Sequence, residues 1–327
     1  MSINNAIFYL SRIFGLAPFS TVTGTNFTLY KFSRCWLCYS IFLTFSMSCC
    51  VMPAMHYVLY RIESQSLFYK SSLRVSDAYL VLLLLIQMLT LYNANNVAVM
   101  FKHFSYLDNA TSYKNEKSNV AKFMVIQLVV IMIETTQFSA GLESVGFYLE
   151  KVCCCVFYIF EKSVLWLVDF QFCYLVSMLR QRYAHLNKIL ELKESPGTDI
   201  TLNRLQGSNG STLSNPSSCL HFAEANVSHD VGKYYELLRR LSEFVNSTYF
   251  LINILTMTCT VLYITWSSYG IVVATAFPSN DSGSWWKIEE TIYNVILWKL
   301  EYVGKLITTV TVCAGTCNEV SLNIRAR

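Results

Sequence analysis

Among the ionisable residues inside otherwise apolar stretches of this chain, Glu134, Glu161, Lys162, Asp169, Lys299, Glu301 and Lys305 are the candidates for function. A charge in hydrocarbon is costly, so such a residue faces a bundle interior, an opposite charge or a water-filled cavity, and it marks a candidate ligand or ion site. Glu301 and Lys305 are four apart, on one helical face and in the order that favours mutual neutralisation. Gln137, Tyr263, Trp266, Tyr269, Trp298 and Tyr302 lie in the same stretches, and with Glu161 and Glu301 they make a candidate pocket. Apolar walls with a few polar groups suit a small molecule, and aromatic rings add stacking and cation–π contacts. Trp285, Trp286 and Tyr293 read instead as anchors at a membrane surface.

Other chemistry finds no support. The chain has no G-x-S-x-G, no H-E-x-x-H and no Walker-type Gly-rich loop, so it does not read as an enzyme. His56, His103, His185, His221 and His229 are scattered, and Cys35-x-x-Cys38 lacks a second pair, so neither a metal nor another cofactor is expected. Of 12 cysteines, eleven fall in or beside apolar stretches and only Cys219 lies in a loop, which is no disulfide framework. The run Cys153, Cys154, Cys155 reads as apolar packing. A net charge of +4, with the basic residues gathered between apolar stretches, does not suit nucleic acid.

The elements that must carry these residues are membrane helices. In 327 residues, 54% are hydrophobic and 14% charged, a balance unsuited to a water-soluble surface. Stretches long enough to cross a hydrocarbon core of about 30 Å are Cys35–Tyr60, Val75–Phe101, Phe123–Leu142, Val152–Leu179, Phe244–Phe277 and Ile292–Cys317. The expected class is therefore all-α, a polytopic helical membrane protein with six spans. No cleavable leader is read at the start, so the first span acts as its own insertion signal. Lys and Arg number 17 in the odd intervening segments against 5 in the even ones, which predicts a cytosolic N-terminus. That orientation is the reverse of a G-protein-coupled receptor. Of the N-x-[ST] sequons, only Asn280 then faces the lumen, close to a span end where modification is poor.

The expected organisation is a cytosolic segment 1–34, four spans over 35–179, a cytosolic loop 180–243, two spans over 244–317 and a tail 318–327. Within the loop, 195–218 is rich in Ser, Asn, Gly and Pro and reads as disordered, with helical flanks. The apolar stripe Tyr234, Leu237, Leu238, Leu241 and Phe244 recurs at three- and four-residue steps and needs a partner surface. It predicts that the fifth helix continues into the cytosol and packs there with an extension of the fourth.

Three stretches resemble the insect gustatory receptor family, within the insect chemoreceptor superfamily. Phe14-Gly15-Leu16-Ala17-Pro18-Phe19 is similar to its N-terminal G-L-x-P-F pattern. Arg182-Tyr183-Ala184-His185-Leu186-Asn187-Lys188-Ile189-Leu190 is similar to R-[FY]-x-x-L-N-x-x-L, and Cys313 to Glu319 to C-x-x-x-x-x-E. The resemblance implies a seven-helix subunit in the plasma membrane of gustatory receptor neurons. It further implies a homo- or hetero-tetramer that binds small-molecule tastants in the outer half of the bundle and gates a cation channel. Subunits would meet through cytosolic helix extensions, where the stripe from Tyr234 to Phe244 lies. The family's seventh span, with its T-Y-x-x-x-x-x-Q-F motif, should follow the sixth. The chain stops at Arg327, so either the sequence is incomplete or the polypeptide does not conduct alone. Two other functions fit the residues: a secondary transporter using the charges of spans four and six, or a shortened chain that regulates full-length partners.

Overall fold

The computed structural model describes residues 9–23, 28–51, 53, 67–111, 113, 126, 129–136, 139, 148–194, 216–276 and 284–325. A helical turn at 9–13 leads into an antiparallel hairpin, β1 (Phe19–Thr23) and β2 (Thr28–Phe32), with Phe19 opposite Phe32 and Thr23 opposite Thr28. Helices follow: α1 (Arg34–Ser46), α2 (Leu67–Tyr92), α3 (Ala94–Ala110), α4 (Tyr148–Glu194), α5 (Pro216–Ala276) and α6 (Ser284–Arg325). The described part of the third apolar stretch is helical over 129–136. The fold is all-α apart from the hairpin.

That hairpin was not anticipated in the N-terminal segment. Gly15 adopts φ +72°, and this left-handed turn points the chain from the 9–13 helix into the strands. A Cβ on Gly15 would come within 3.3 Å of the Ser40 backbone, so the turn and the packing against α1 both favour glycine. Leu16, Ala17 and Phe19 are then buried. Tyr39 of α1 donates to the Ile13 carbonyl at 2.8 Å, and the Arg12 guanidinium, which donates to the Phe19 carbonyl, lies 4.7 Å from the Trp36 ring.

Helix α1 hides its hydroxyls at four-residue steps: Ser40 donates to the Trp36 carbonyl, Thr44 to Ser40 and Ser48 to Thr44. Such back-bonding loosens the helical ladder, and the chain passes into a π-helical turn at Met47–Val51. The second apolar stretch, read as one span, is broken. The axis bends by 49° between Leu80–Tyr92 and Ala94–Asp108. Asn93 stands at the break, where its side-chain amide donates to the Thr248 carbonyl of α5 at 3.2 Å and its carbonyl oxygen accepts from Asn96 at 3.3 Å. The kink has no Pro or Gly; a side chain bonded sideways to a neighbouring helix holds it.

The three long helices exceed any bilayer. At 1.5 Å per residue, α4 with 47 residues runs about 70 Å and α5 with 61 about 90 Å. Residues 180–194 continue α4 without a break, and 228–243 belong to α5. Of the segment read as disordered, 216–218 form the first turn of α5, and 195–215 lie outside the described residues.

Packing is the inverse of a soluble domain. Helix α4 is central: Lys162 to Val168 are all buried, as is most of its surface from Phe157 to Leu186. The periphery is apolar instead, with Phe42 69% exposed, Val261 61% and Leu300 64%, alongside Phe45, Met88, Met132 and Ile307. Charge inside and hydrocarbon outside is the arrangement of a protein solvated by lipid.

Among the described residues, one helix within Val231–Trp266 is long and apolar enough to cross a membrane by length and composition alone. A second qualifies if the bent α2–α3 pair is one span. Helices α4 and α6 are less apolar because they carry Glu161, Lys162 and Asp169, and Lys299, Glu301 and Lys305, respectively.

The directions of the long helices can be read from their contacts. Along α4 and α6, Lys162 meets Tyr302, Cys173 meets Thr309 and Asn187 meets Glu319, so the two run parallel. Along α4 and α5, Asn187 meets Tyr235, Gln171 meets Tyr249 and Lys162 faces Tyr263, so those two run antiparallel. This is the alternation of three consecutive crossings.

Candidate ligand site and the ties around it

The site is built on Lys162, about a third of the way along α4. Lysine is tolerated at such depth only with a counter-charge and filled hydrogen-bonding capacity. Its ammonium lies 3.3 Å from the Glu134 carboxylate on the 129–136 helix, with both side chains almost wholly buried. It also donates to the Tyr302 hydroxyl of α6 at 3.2 Å. The Tyr158 hydroxyl, one turn earlier on α4, donates to the same carboxylate at 3.2 Å. Three rings surround the cation: Tyr302 at 4.7 Å, Tyr263 of α5 at 5.0 Å and Tyr158 at 5.6 Å. Four helical segments thus converge on one ammonium, and cation–π attraction strengthens as water is excluded.

The aromatic surface continues along α5. Tyr263 packs on Tyr302 with ring centroids 4.5 Å apart, and Trp266 packs on Tyr269 at 5.7 Å. Trp266 is half-buried and Tyr269 is 49% exposed, so the rings lead from the buried cluster towards the open end of the bundle. Glu161 is half-buried beside Lys162 and acts electrostatically on Tyr158 and Cys259, which places it between α4 and α5.

Of the pocket residues read from sequence, Tyr263 and Tyr302 meet in the cluster, Glu161 borders it, and Trp266 and Tyr269 extend it. Gln137 and the side chains of Trp298 and Glu301 lie outside the described residues, as do those of Trp285, Trp286 and Tyr293. Tyr158 was missed, although its position four residues before Lys162 puts both on one face. Lys305 pairs across to Asp169 of α4, which the parallel course of α4 and α6 brings opposite it.

Below the cluster a series of polar ties joins α4 to α6. Asp169–Lys305 comes first, then Cys173 with Thr309 at 3.7 Å, then the Thr316 hydroxyl donating to the Val176 carbonyl at 3.4 Å. At the far end Arg180 lies 4.0 Å from the Glu319 carboxylate, and Asn187 donates to the Glu319 carbonyl at 3.1 Å. Asn187 also accepts from Tyr235 of α5. Arg182 makes a two-pronged bond to Asp108 of α3, at 2.8 and 2.6 Å, and stacks 4.6 Å from the Phe104 ring. Two of the sequence stretches singled out above, 182–190 and 313–319, therefore meet in one clasp.

Outside the apolar core, Arg239 and Arg240 hydrogen-bond Glu236 and hold its carboxyl down at about 2. Burial pushes the Tyr183 phenol up to about 12. In the stripe, Leu238 and Leu241 are buried within this chain, whereas Tyr234, Leu237 and Phe244 are half-buried.

A groove of about 460 Å³ lies between α5 and α6, floored by Asp169 and Phe172 of α4. Among the described residues, no group of His, Cys, Asp and Glu could hold a metal ion.

No curated protein matches the chain. The family model described as 7tm Chemosensory receptor matches it over residues 5–321, and the chain belongs to that chemosensory receptor family.

Proposed function

We propose that this membrane-embedded chemoreceptor is a gustatory receptor subunit that binds a small-molecule tastant and gates a cation channel as a homo- or hetero-tetramer. It works in the plasma membrane of gustatory receptor neurons, with six spans in this chain, a cytosolic N-terminus and no catalytic step. One observation carries the reading: Lys162, Glu134 and three tyrosines from four helical segments converge at one level, beside an aromatic path through Trp266 and Tyr269. A ligand there touches α4, α5 and α6 at once. Its preference for one arrangement of the helices shifts their population by its differential affinity. The ties from Lys162–Tyr302 to Arg180–Glu319 offer a physical route for that shift to the cytosolic ends.

The test is expression of the receptor with a panel of sweet, bitter and carbon dioxide stimuli. The expected outcome is a ligand-dependent cation current that Tyr263→Ala reduces at least about tenfold in apparent affinity. A silent panel with confirmed surface delivery would overturn the proposal.

A second reading draws on the Asp169–Lys305 pair, which joins the fourth and sixth helices as a transporter's coupling site would. It requires proton-driven uptake into vesicles, abolished by Asp169→Asn, and no current.

A further inference from the structure

The groove between α5 and α6 has two characters. Its length follows from its lining: Lys305 to Cys317 on α6 spans about 18 Å at 1.5 Å per residue. One leaflet of hydrocarbon is about 15 Å thick. Met257, Leu306, Val310 and Ala314 make most of the wall apolar, and Leu306 and Val310 stand exposed on the rim. The Asp169–Lys305 pair, flanked by Thr260 and Thr309, makes one end ionic, and Asn246, Asn253 and Thr256 add uncharged polar groups along α5.

The threonine hydroxyls donate to their own helices, Thr256 to Asn253 at 3.1 Å, Thr260 to Thr256 at 2.9 Å and Thr309 to Lys305 at 3.1 Å. They offer lone pairs to an occupant and no spare proton. The ion pair offers both a carboxylate acceptor and ammonium donors at one point. A hydroxyl head uses both, donating to Asp169 and accepting from Lys305 while the pair stays closed. A carboxylate head must displace Asp169 from Lys305 and strand a buried anion, and an ammonium head strands a buried cation. Either exchange carries the penalty of an unpaired charge at membrane depth.

We propose that this groove binds a membrane amphiphile with a single hydroxyl head, entering sideways from the bilayer, its oxygen between Asp169 and Lys305 and its tail along Met257, Leu306 and Val310. The site is separate from the tyrosine cluster and stands whether or not the cluster takes a tastant. Straight-chain alcohols and sterols share this chemistry.

Photo-crosslinking of the purified protein in nanodiscs decides the matter, with diazirine-bearing hexadecanol and diazirine-bearing cholesterol in separate arms. The expected result in at least one arm is adducts on peptides covering 253–260 and 305–314. Excess unlabelled alcohol or sterol should suppress them about tenfold, and palmitate and hexadecylamine should not, as the loss of one charge-assisted hydrogen bond predicts. The double variant Asp169→Leu with Lys305→Met removes the head site without stranding a charge. It should elute as a folded protein and lose the adducts by the same factor. Adducts confined to other surfaces, equal labelling of the double variant, or suppression by palmitate as effective as by the alcohol would each overturn the proposal.

Discussion

Among the described residues Lys162 meets the Glu134 carboxylate, the Tyr302 hydroxyl and the ring faces of Tyr158, Tyr263 and Tyr302, so its neighbours are matched to a charge rather than to a volume. Replacing it with methionine leaves Glu134 buried without its cation. Lys162→Met should therefore destabilise the detergent-solubilised protein by roughly 3–5 kcal/mol in a chemical unfolding titration. The double variant with Glu134→Met should recover most of that loss, because removing both partners of a buried pair is often close to neutral. A double variant no more stable than the single one would show that the pair is not what holds these helices together.

Two of the three rings around Lys162 were legible in the sequence, Tyr263 and Tyr302, which stand in apolar stretches, whereas Tyr158 was not picked out. The ionic half was only partly legible. Each charge announced itself by its cost in lipid, but the choice of partner depends on helix order in space. Nothing in the local sequence singles out Asp169 as the partner that the fold gives Lys305.

Among the elements, the long helices follow from apolar length, whereas the places where helices stop or bend do not. Asn93 carries no local signal of a break; its effect comes from the Thr248 carbonyl on a helix far along the chain. The β1–β2 hairpin was missed, although Thr23 and Thr28 flank Gly24-Thr25-Asn26-Phe27, whose Gly and Asn between two β-prone runs are a hairpin signal. The polar stretch of α5 around Glu236 supports a prediction on acidity. Glu236 is held at about 2, against an ordinary 4.5, by Arg239 and Arg240. A lowered folded-state value stabilises the helix above the unfolded one, and the contribution disappears as pH falls from 4.5 through about 2. Protection of the amides over 236–243, taken relative to the intrinsic exchange rate at each pH, should fall as pH drops across that window, less so in high salt. Glu236→Gln should remove the pH dependence.

At the scale of the whole molecule, the chain is a membrane protein of the chemosensory receptor family, and its apolar stripe divides by burial. Leu238 and Leu241 are spent on packing within the chain, so Leu238→Ala should cost roughly 2–5 kcal/mol of stability. Leu237 and Phe244 keep apolar surface available. In the proposed tetramer, Leu237→Ala with Phe244→Ala should leave the unfolding midpoint within a few degrees of the parent while shifting native mass spectra from tetramer towards monomer. An unchanged tetramer population would remove these residues from the subunit interface.

The burial of α4 on every side also bears on biogenesis. Lys162 finds Glu134 already made when it leaves the ribosome, but Asp169 pairs with Lys305, which is synthesised only after the whole of α5. At about 5–20 residues per second, that wait is on the order of ten seconds. During it the translocon, or an insertase beside it, must shelter a carboxylate that lipid rejects. Pairing at the centre of α4 thus waits for α6, and nascent chains arrested before residue 305 should remain bound to the insertion machinery.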